Sequence, residues 1–281
     1  MPRTGGGLEE KMQTRVKGTS VWTSLALVGL LASSGCSRSP GRSVTLAGST
    51  AFQPFAEKLA ERYAATRPGT RVNVQGGGSA VGIQSALSGA AEIGMADLLQ
   101  LPDEAKALKA TVVARDGIAI VVHPQNPVAV LSADQARAVF SGKTANWKVL
   151  GGPDAAIRVI SREEGSGTRR SFDKLVLAGE ALAAGALFQN SNGTVREAVA
   201  SDPAAVGYVS IGLVNGKVKA LRYNDVVPTN ANVVNGTYPL ARPIFFLTRG
   251  VPAAPAQEFI DYVLSPEAQG ILAQEGLIPA K

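Results

Sequence analysis

The chain carries a single cysteine, Cys36, and a single histidine, His123, in 281 residues. A disulfide within the chain is excluded, and no zinc site of Cys and His ligands can be assembled. No metal and no cofactor is expected. Tryptophan and tyrosine are scarce, while Ala, Val and Gly are abundant. That favours many short α/β units over an aromatic-rich all-β sandwich. There is no run of Lys and Arg that could track a phosphate backbone, so nucleic acid is not an expected partner. Internal repeats are absent, and no long linker follows residue 43.

Elements of familiar catalysis are missing too. Ser166 has Glu164 where a G-x-S-x-G nucleophile loop needs its first glycine, and His123 precedes Pro124 in an apolar strand. The stretch GSGTRRS lacks the Gly-Lys-Ser/Thr ending of a nucleotide loop. No enzymatic activity is expected. The formal charge is +6; residues 1–36 contribute +2 of it, leaving +4 on the rest. Such a mild positive field helps gather a small anion.

The first 36 residues read as an address. Arg15 and Lys17 precede the apolar run Val21–Ala32, then Ser33, Ser34, Gly35 and Cys36. Twelve helical residues span roughly 18 Å, short of a hydrocarbon core of about 30 Å. The segment resembles a bacterial lipoprotein signal peptide, which implies that Cys36 is lipidated and becomes the new N-terminus. An ordinary signal with an incidental cysteine is the alternative, and Met12 is an alternative start. Residues 37–43, SRSPGRS, form a polar tether. The product is expected to be exported, periplasmic or at the cell surface, and held to a membrane by its lipid.

From Val44 onward, short apolar runs alternate with helix-like segments, the pattern of α/β layers. Phe55, Leu59 and Tyr63 mark one face of a helix. AVGIQSALSG reads as a helix closed by Gly89, and PDEAKALKA as another. TVVA and GIAIVV read as two strands. Ser132 and Gln135 form a capping box. TRRSFDKLVLAG reads as one helix, and Ser265-Pro266 as the start of the last. Two lobes joined by chain crossings are expected, with the crossings near Gly117–Pro127 and Gly236–Thr248. Lobe one then takes 44–118 plus 243–281, and lobe two 119–242.

Three loops share one grammar of strand, small hydroxylated residues, helix: Gly48-Ser49-Thr50, Gly76-Gly77-Gly78-Ser79 and Gly165-Ser166-Gly167-Thr168. Each is expected to set hydroxyls and free N–H groups at a helix N-terminus, an end suited to anions. Taken singly, each is an ordinary helix cap. Arg162, four residues before Ser166, adds a fork of donors matched to a tetrahedral oxyanion.

Five segments carry a resemblance: GSTAFQPFAEKLAE, VQGGGSAVGIQSALSGAAEIGMAD, ARDGIAIVVHPQNPV, ISREEGSGTRRSF and GTYPLARPIFF, in that order. From about Val44 to the C-terminus the chain resembles the phosphate-binding proteins of bacterial phosphate ABC transporters. The resemblance implies a periplasmic-binding-protein-like α/β fold, with two lobes, a hinge and a ligand cleft between them. It implies inorganic phosphate as ligand, the membrane permease of the transporter as partner, and a monomer. By position, Ser49, Thr50, the Ala51 N–H and Ser79 contact the anion from lobe one, and Arg162, Ser166, Gly167 and Thr168 from lobe two. Asp97 matches the aspartate that accepts the proton of hydrogen phosphate, and Asp116 is the alternative for that role. Sulfate, molybdate or tungstate is the alternative ligand, and phosphate sensing or scavenging the alternative use.

Overall fold

A computed structural model describes residues 42–280. Cys36, the expected signal and most of the expected tether lie outside them. The described chain opens with strand β1 (Arg42–Gly48), helix α1 (Gln53–Ala65), β2 (Thr70–Gln75), α2 (Ser79–Ser88) and β3 (Ile93–Ala96). β1 pairs in parallel with both β2 and β3. Phe55, Leu59 and Tyr63 line the buried face of α1, as their spacing predicts. α2 ends at Gly89, whose φ of 78° suits a residue without Cβ.

PDEAKALKA does not form a helix. Asp103–Ala107 make a short 3₁₀ segment, Leu108 turns extended, and β4 (Lys109–Val122) begins at once. Lys109 is already paired with Thr248, so the sheet takes residues that local propensity gives to a helix. The two expected strands TVVA and GIAIVV are likewise one strand, β4, running through Arg115-Asp116-Gly117.

Further elements follow: β5 (Val130–Leu131), α3 (Ala133–Phe140), β6 (Arg158–Arg162), α4 (Gly167–Phe172), β7 (Leu187–Gln189), α5 (Asn192–Ala200) and β8 (Ala205–Ser210). The Ser132–Gln135 capping box is present at the head of α3. α4 is short because Asp173–Leu177 widen into a π-helical turn that ends on left-handed Ala178. The stretch TRRSFDKLVLAG is therefore two helical pieces. β9 (Lys219–Ala220), β10 (Arg222–Tyr223) and α6 (Asn230–Val234) lead to β11 (Ala241–Thr248). α7 (Ala254–Val263), α8 (Pro266–Gln274) and β12 (Ile278–Pro279) close the chain. Ser265 caps α8 by accepting from the Ala268 N–H.

The main sheet runs β2-β1-β3-β11-β4-β8-β6-β7. β4 links its halves. Its first part pairs antiparallel with β11, and Ile118–Val122 pair antiparallel with β8. One hydrophobic core gathers Val44, Leu46, Phe52, Phe55, Tyr63, Ile244, Phe246 and Phe259 with their neighbours. A second gathers Ile118, Phe140, Trp147, Phe172, Tyr208 and Tyr238 with theirs. Each fully buried side chain of this size contributes about 1.5–3 kcal/mol, enough in number to hold each body together. The architecture is the two-lobed periplasmic-binding-protein fold.

Candidate anion-binding site

The three hydroxyl loops converge between the two cores. Thr50 lies against the GGGS loop, its Cγ2 facing Gly76. Ser49 accepts from the Phe52 N–H and donates its own N–H to the Met95 carbonyl. α1 starts only at Gln53, with Phe52 at its cap position, so Ser49 and Thr50 occupy the turn before the helix instead of its cap. Ala51 is buried in the same turn.

Ser79 opens α2 and points at Asp97, just past the end of β3. Its Oγ donates to Asp97 Oδ1 (2.7 Å) and accepts from the Asp97 N–H (3.0 Å). From the other lobe, Thr168 Oγ1 donates to Asp97 Oδ2 (2.7 Å). Gly167 packs so closely that a Cβ there would collide with Ser79 Oγ and lie 2.7 Å from Asp97 Oδ1. The Ala80 N–H donates to the Gly165 carbonyl (3.0 Å), a backbone bond between the two loops. Ser166 caps α4 by accepting from the Arg169 N–H, which leaves its hydroxyl proton free to donate elsewhere.

Arg162 ends β6 and is 1% exposed. Its Nε and Nη2 donate to the Glu163 carboxylate at 2.9 and 2.7 Å, and Nε also reaches the Gln189 carbonyl. Glu163 in turn lies against Gly78 of the GGGS loop. Arg162 Nη1 and Thr50 Oγ1 are buried with no hydrogen-bond partner among the described residues. Below this arginine, Tyr208 donates to or accepts from Ser161 and stacks on Phe172 with ring centroids 4.0 Å apart, a rigid floor. Burial raises the Tyr208 phenol well above its usual range, so it stays neutral.

The structure adds residues that the sequence reading did not single out. Arg242, on β11, donates from Nε to Asp97 Oδ2 (3.0 Å), with Nη2 2.9 Å from the same oxygen. Nη2 also reaches Thr168 Oγ1 (3.2 Å). Asn192 donates to Thr168 Oγ1 and accepts from the Ser210 N–H. Ser171 accepts from the Leu99 N–H and donates to the Asp97 carbonyl. Arg242 lies within the motif GTYPLARPIFF; an arginine in an otherwise apolar strand was the available signal.

Asp116 is brought to the same cluster but not to the hydroxyls of Ser79 or Thr168. Its Oδ2 stands 3.0 Å from Arg242 Nη2 as an ion-pair contact outside hydrogen-bond geometry. Its Oδ1 accepts from Ser210 Oγ (2.8 Å). Complete burial pushes the Asp116 carboxyl up to about 6, against the pull of Arg242 and Ser210 and with a further push from Asp97.

Two lobes presenting buried hydroxyls, a guanidinium and a carboxylate to one another suit a small, desolvated oxyanion. Residues 34–267 match the PBP superfamily domain. The phosphate-binding protein PstS of Bacillus subtilis is 37% identical over 242 residues, which cover 84% of this chain and 80% of that protein. The chain belongs to the phosphate-binding-protein family. A family member from Clostridium perfringens, a substrate-binding protein solved with bound phosphate, has a TM-score of 0.82 at 36% identity. The match covers 85% of this chain and all of that one. An ABC-type phosphate transport receptor from Vibrio cholerae has a TM-score of 0.70 at 37% identity, covering 84% and 99%.

Proposed function

We propose that the chain captures inorganic phosphate outside the cytoplasm and delivers it to the membrane permease of a phosphate ABC transporter. The observation that carries this reading is the ring of donors around Asp97, drawn from both lobes, beside the buried unpaired Arg162 Nη1 and Thr50 Oγ1. A buried donor left unpaired costs about 1–3 kcal/mol. An oxyanion accepting from it removes that cost.

Ser49, Thr50, the Ala51 N–H and Ser79 are the contacts from lobe one. Arg162, Ser166, Gly167 and Thr168 are those from lobe two. The bodies that close are 44–118 plus 243–281 and 119–242. Asp97 reads the ligand's proton, and Asp116 stands behind it. A hydroxyl has one proton to give, and both Ser79 and Thr168 direct theirs at Asp97. Turning either hydroxyl to the anion strips Asp97 of a donor. Hydrogen phosphate replaces that donor with its own O–H. Sulfate takes the hydroxyls and returns nothing, so it leaves a buried carboxylate facing an oxyanion.

The chain carries out no chemistry on its ligand in this reading. The test is to identify the anion released when the purified protein is denatured. Phosphate near one per chain supports the reading. Protein that is free of phosphate and takes none up when supplied contradicts it.

We further propose that Cys36 carries the lipid anchor. The wild-type protein should fractionate with membranes, and Cys36→Ala should be soluble or uncleaved with phosphate binding intact. Wild-type protein recovered soluble and unlipidated leaves ordinary export in its place.

A further inference from the structure

Arg242 and Asp116 lie on the neighbouring strands β11 and β4, and Asp97 directly follows β3 on the other side of β11. β11 lies between β3 and β4, with Phe245 opposite Ala96 and Arg242 opposite Asp116. All three side chains are buried, Arg242 and Asp116 completely. Two carboxylates therefore share one guanidinium in a place where unpaired charge is costly. Arg242 reaches Asp97 through Nε and Nη2, and the same Nη2 faces Asp116. Asp116 is itself fixed by Ser210 Oγ at the end of β8. Only a planar fork makes these contacts together; an ammonium is a single point of charge.

These contacts differ in what domain opening does to them. Thr168 reaches Asp97 from the other lobe, so that bond ends when the lobes part. Ser79 turns away when it engages an anion. The Arg242–Asp97 contact rests instead on the pairing of β11 with β3 and β4 at the boundary between the two bodies, so it does not depend on the loop that brings Thr168.

We propose that Arg242 is the positioning residue for ligand selection: it holds the Asp97 carboxylate in place while the hydroxyl partners of Asp97 turn to the oxyanion, and Asp116 braces it from behind. This rests on the reading of Asp97 as the group that accepts the ligand's proton. A carboxylate that swings by an ångström no longer meets that proton, so loss of the brace degrades discrimination as well as affinity. An arginine that only stabilises the hinge would change stability and leave discrimination alone.

The experiment is a double-mutant cycle on the ratio of sulfate to phosphate dissociation constants, measured by calorimetry on R242K, D97N and the combined variant. Cooperative melting is checked first. Should R242K not fold, R242Q on the D116N background replaces it; that pair removes one positive and one negative charge and keeps the buried balance. R242K should lower the ratio at least about tenfold in the wild-type background and by less than about twofold once Asp97 is asparagine. An R242K protein that folds and keeps the wild-type ratio overturns the proposal. So does an equal loss in both backgrounds, because Arg242 would then act independently of Asp97. Wild-type protein that binds no phosphate refutes the functional reading instead, whereas selective wild type with equally selective R242K refutes this inference alone.

Discussion

Thr168 donates its hydroxyl to Asp97 across the boundary between the two hydrophobic cores, Oγ1 lying 2.7 Å from Oδ2. The neighbouring Gly167 is what lets the two loops come so close. A methyl group at that position would meet Ser79 Oγ and Asp97. Gly167→Ala should therefore keep the lobes apart while leaving each core folded. Solution scattering should show phosphate shrinking the radius of gyration of the wild type but not of the variant. A variant that closes normally on phosphate would show that the loops can yield.

Arg162 has one nitrogen, Nη1, buried and unpaired, while its others serve Glu163 and the carbonyls of Gln189 and Asn190. Charge-assisted hydrogen bonds are worth about 1.5–3 kcal/mol each, and about 1.4 kcal/mol is a factor of ten. Arg162→Ala should weaken phosphate binding at least about tenfold. Folding should survive, because Glu163 is partly exposed and can turn to water. Unchanged affinity by calorimetry removes Arg162 from the site.

Asp116 links stability to pH. Its carboxyl titrates near 6 in the folded chain, against 3.8 for the ordinary side chain, chiefly because it is buried. Between those values the folded state binds more protons than the unfolded state. Stability from this group is therefore fully present below about pH 4, falls as pH rises towards 6, and stays lost above. Asp116→Asn cannot ionise. Its stability relative to wild type should be near zero at pH 4 and rise to as much as about 3 kcal/mol at pH 8. Denaturant melts at both pH values check this; a variant less stable than wild type at pH 8 contradicts it.

Ser171 ties α4 to the loop after β3 through the Leu99 N–H and the Asp97 carbonyl, outside the proposed ligand contacts. Removing one such hydroxyl costs about 1 kcal/mol, or roughly a fivefold change in an equilibrium constant. Since these bonds tie α4 to the loop after β3, the proposed closure predicts that Ser171→Ala speeds phosphate release several-fold with little change in association. Stopped-flow displacement reads this directly, and an unaltered release rate removes Ser171 from the closing contacts.

Much of this arrangement is local in sequence and could be read there. The α1 stripe, the Ser132–Gln135 box, the Gly89 stop and the Ser265 cap are each set within a few residues. Two of the three hydroxyl loops are legible as helix starts, and the motif around Asp97 points to its place beside them. What could not be read depends on distant partners. Arg242 meets Asp97 across 145 positions, and only the pairing of β11 with β3 and β4 brings them together. The same sheet overrides the helical look of PDEAKALKA by taking Lys109 into β4. The turn before α1 escaped because Phe52, with no side-chain acceptor, takes the cap position ahead of Pro54 and leaves Ser49 a full turn before the helix.

We propose that Asp97 makes the cleft choose an oxyanion that still carries a proton. Competition calorimetry at neutral pH, titrating phosphate into wild type and Asp97→Asn in the presence and absence of excess sulfate, reads that choice. Wild type should bind phosphate with an affinity that sulfate does not perturb, because the repulsion in a closed cleft costs several kcal/mol. Asp97→Asn should let sulfate compete measurably, since its amide supplies a donor in place of the carboxylate. Sulfate competing equally well in both proteins, or excluded equally from both, would contradict this role of Asp97.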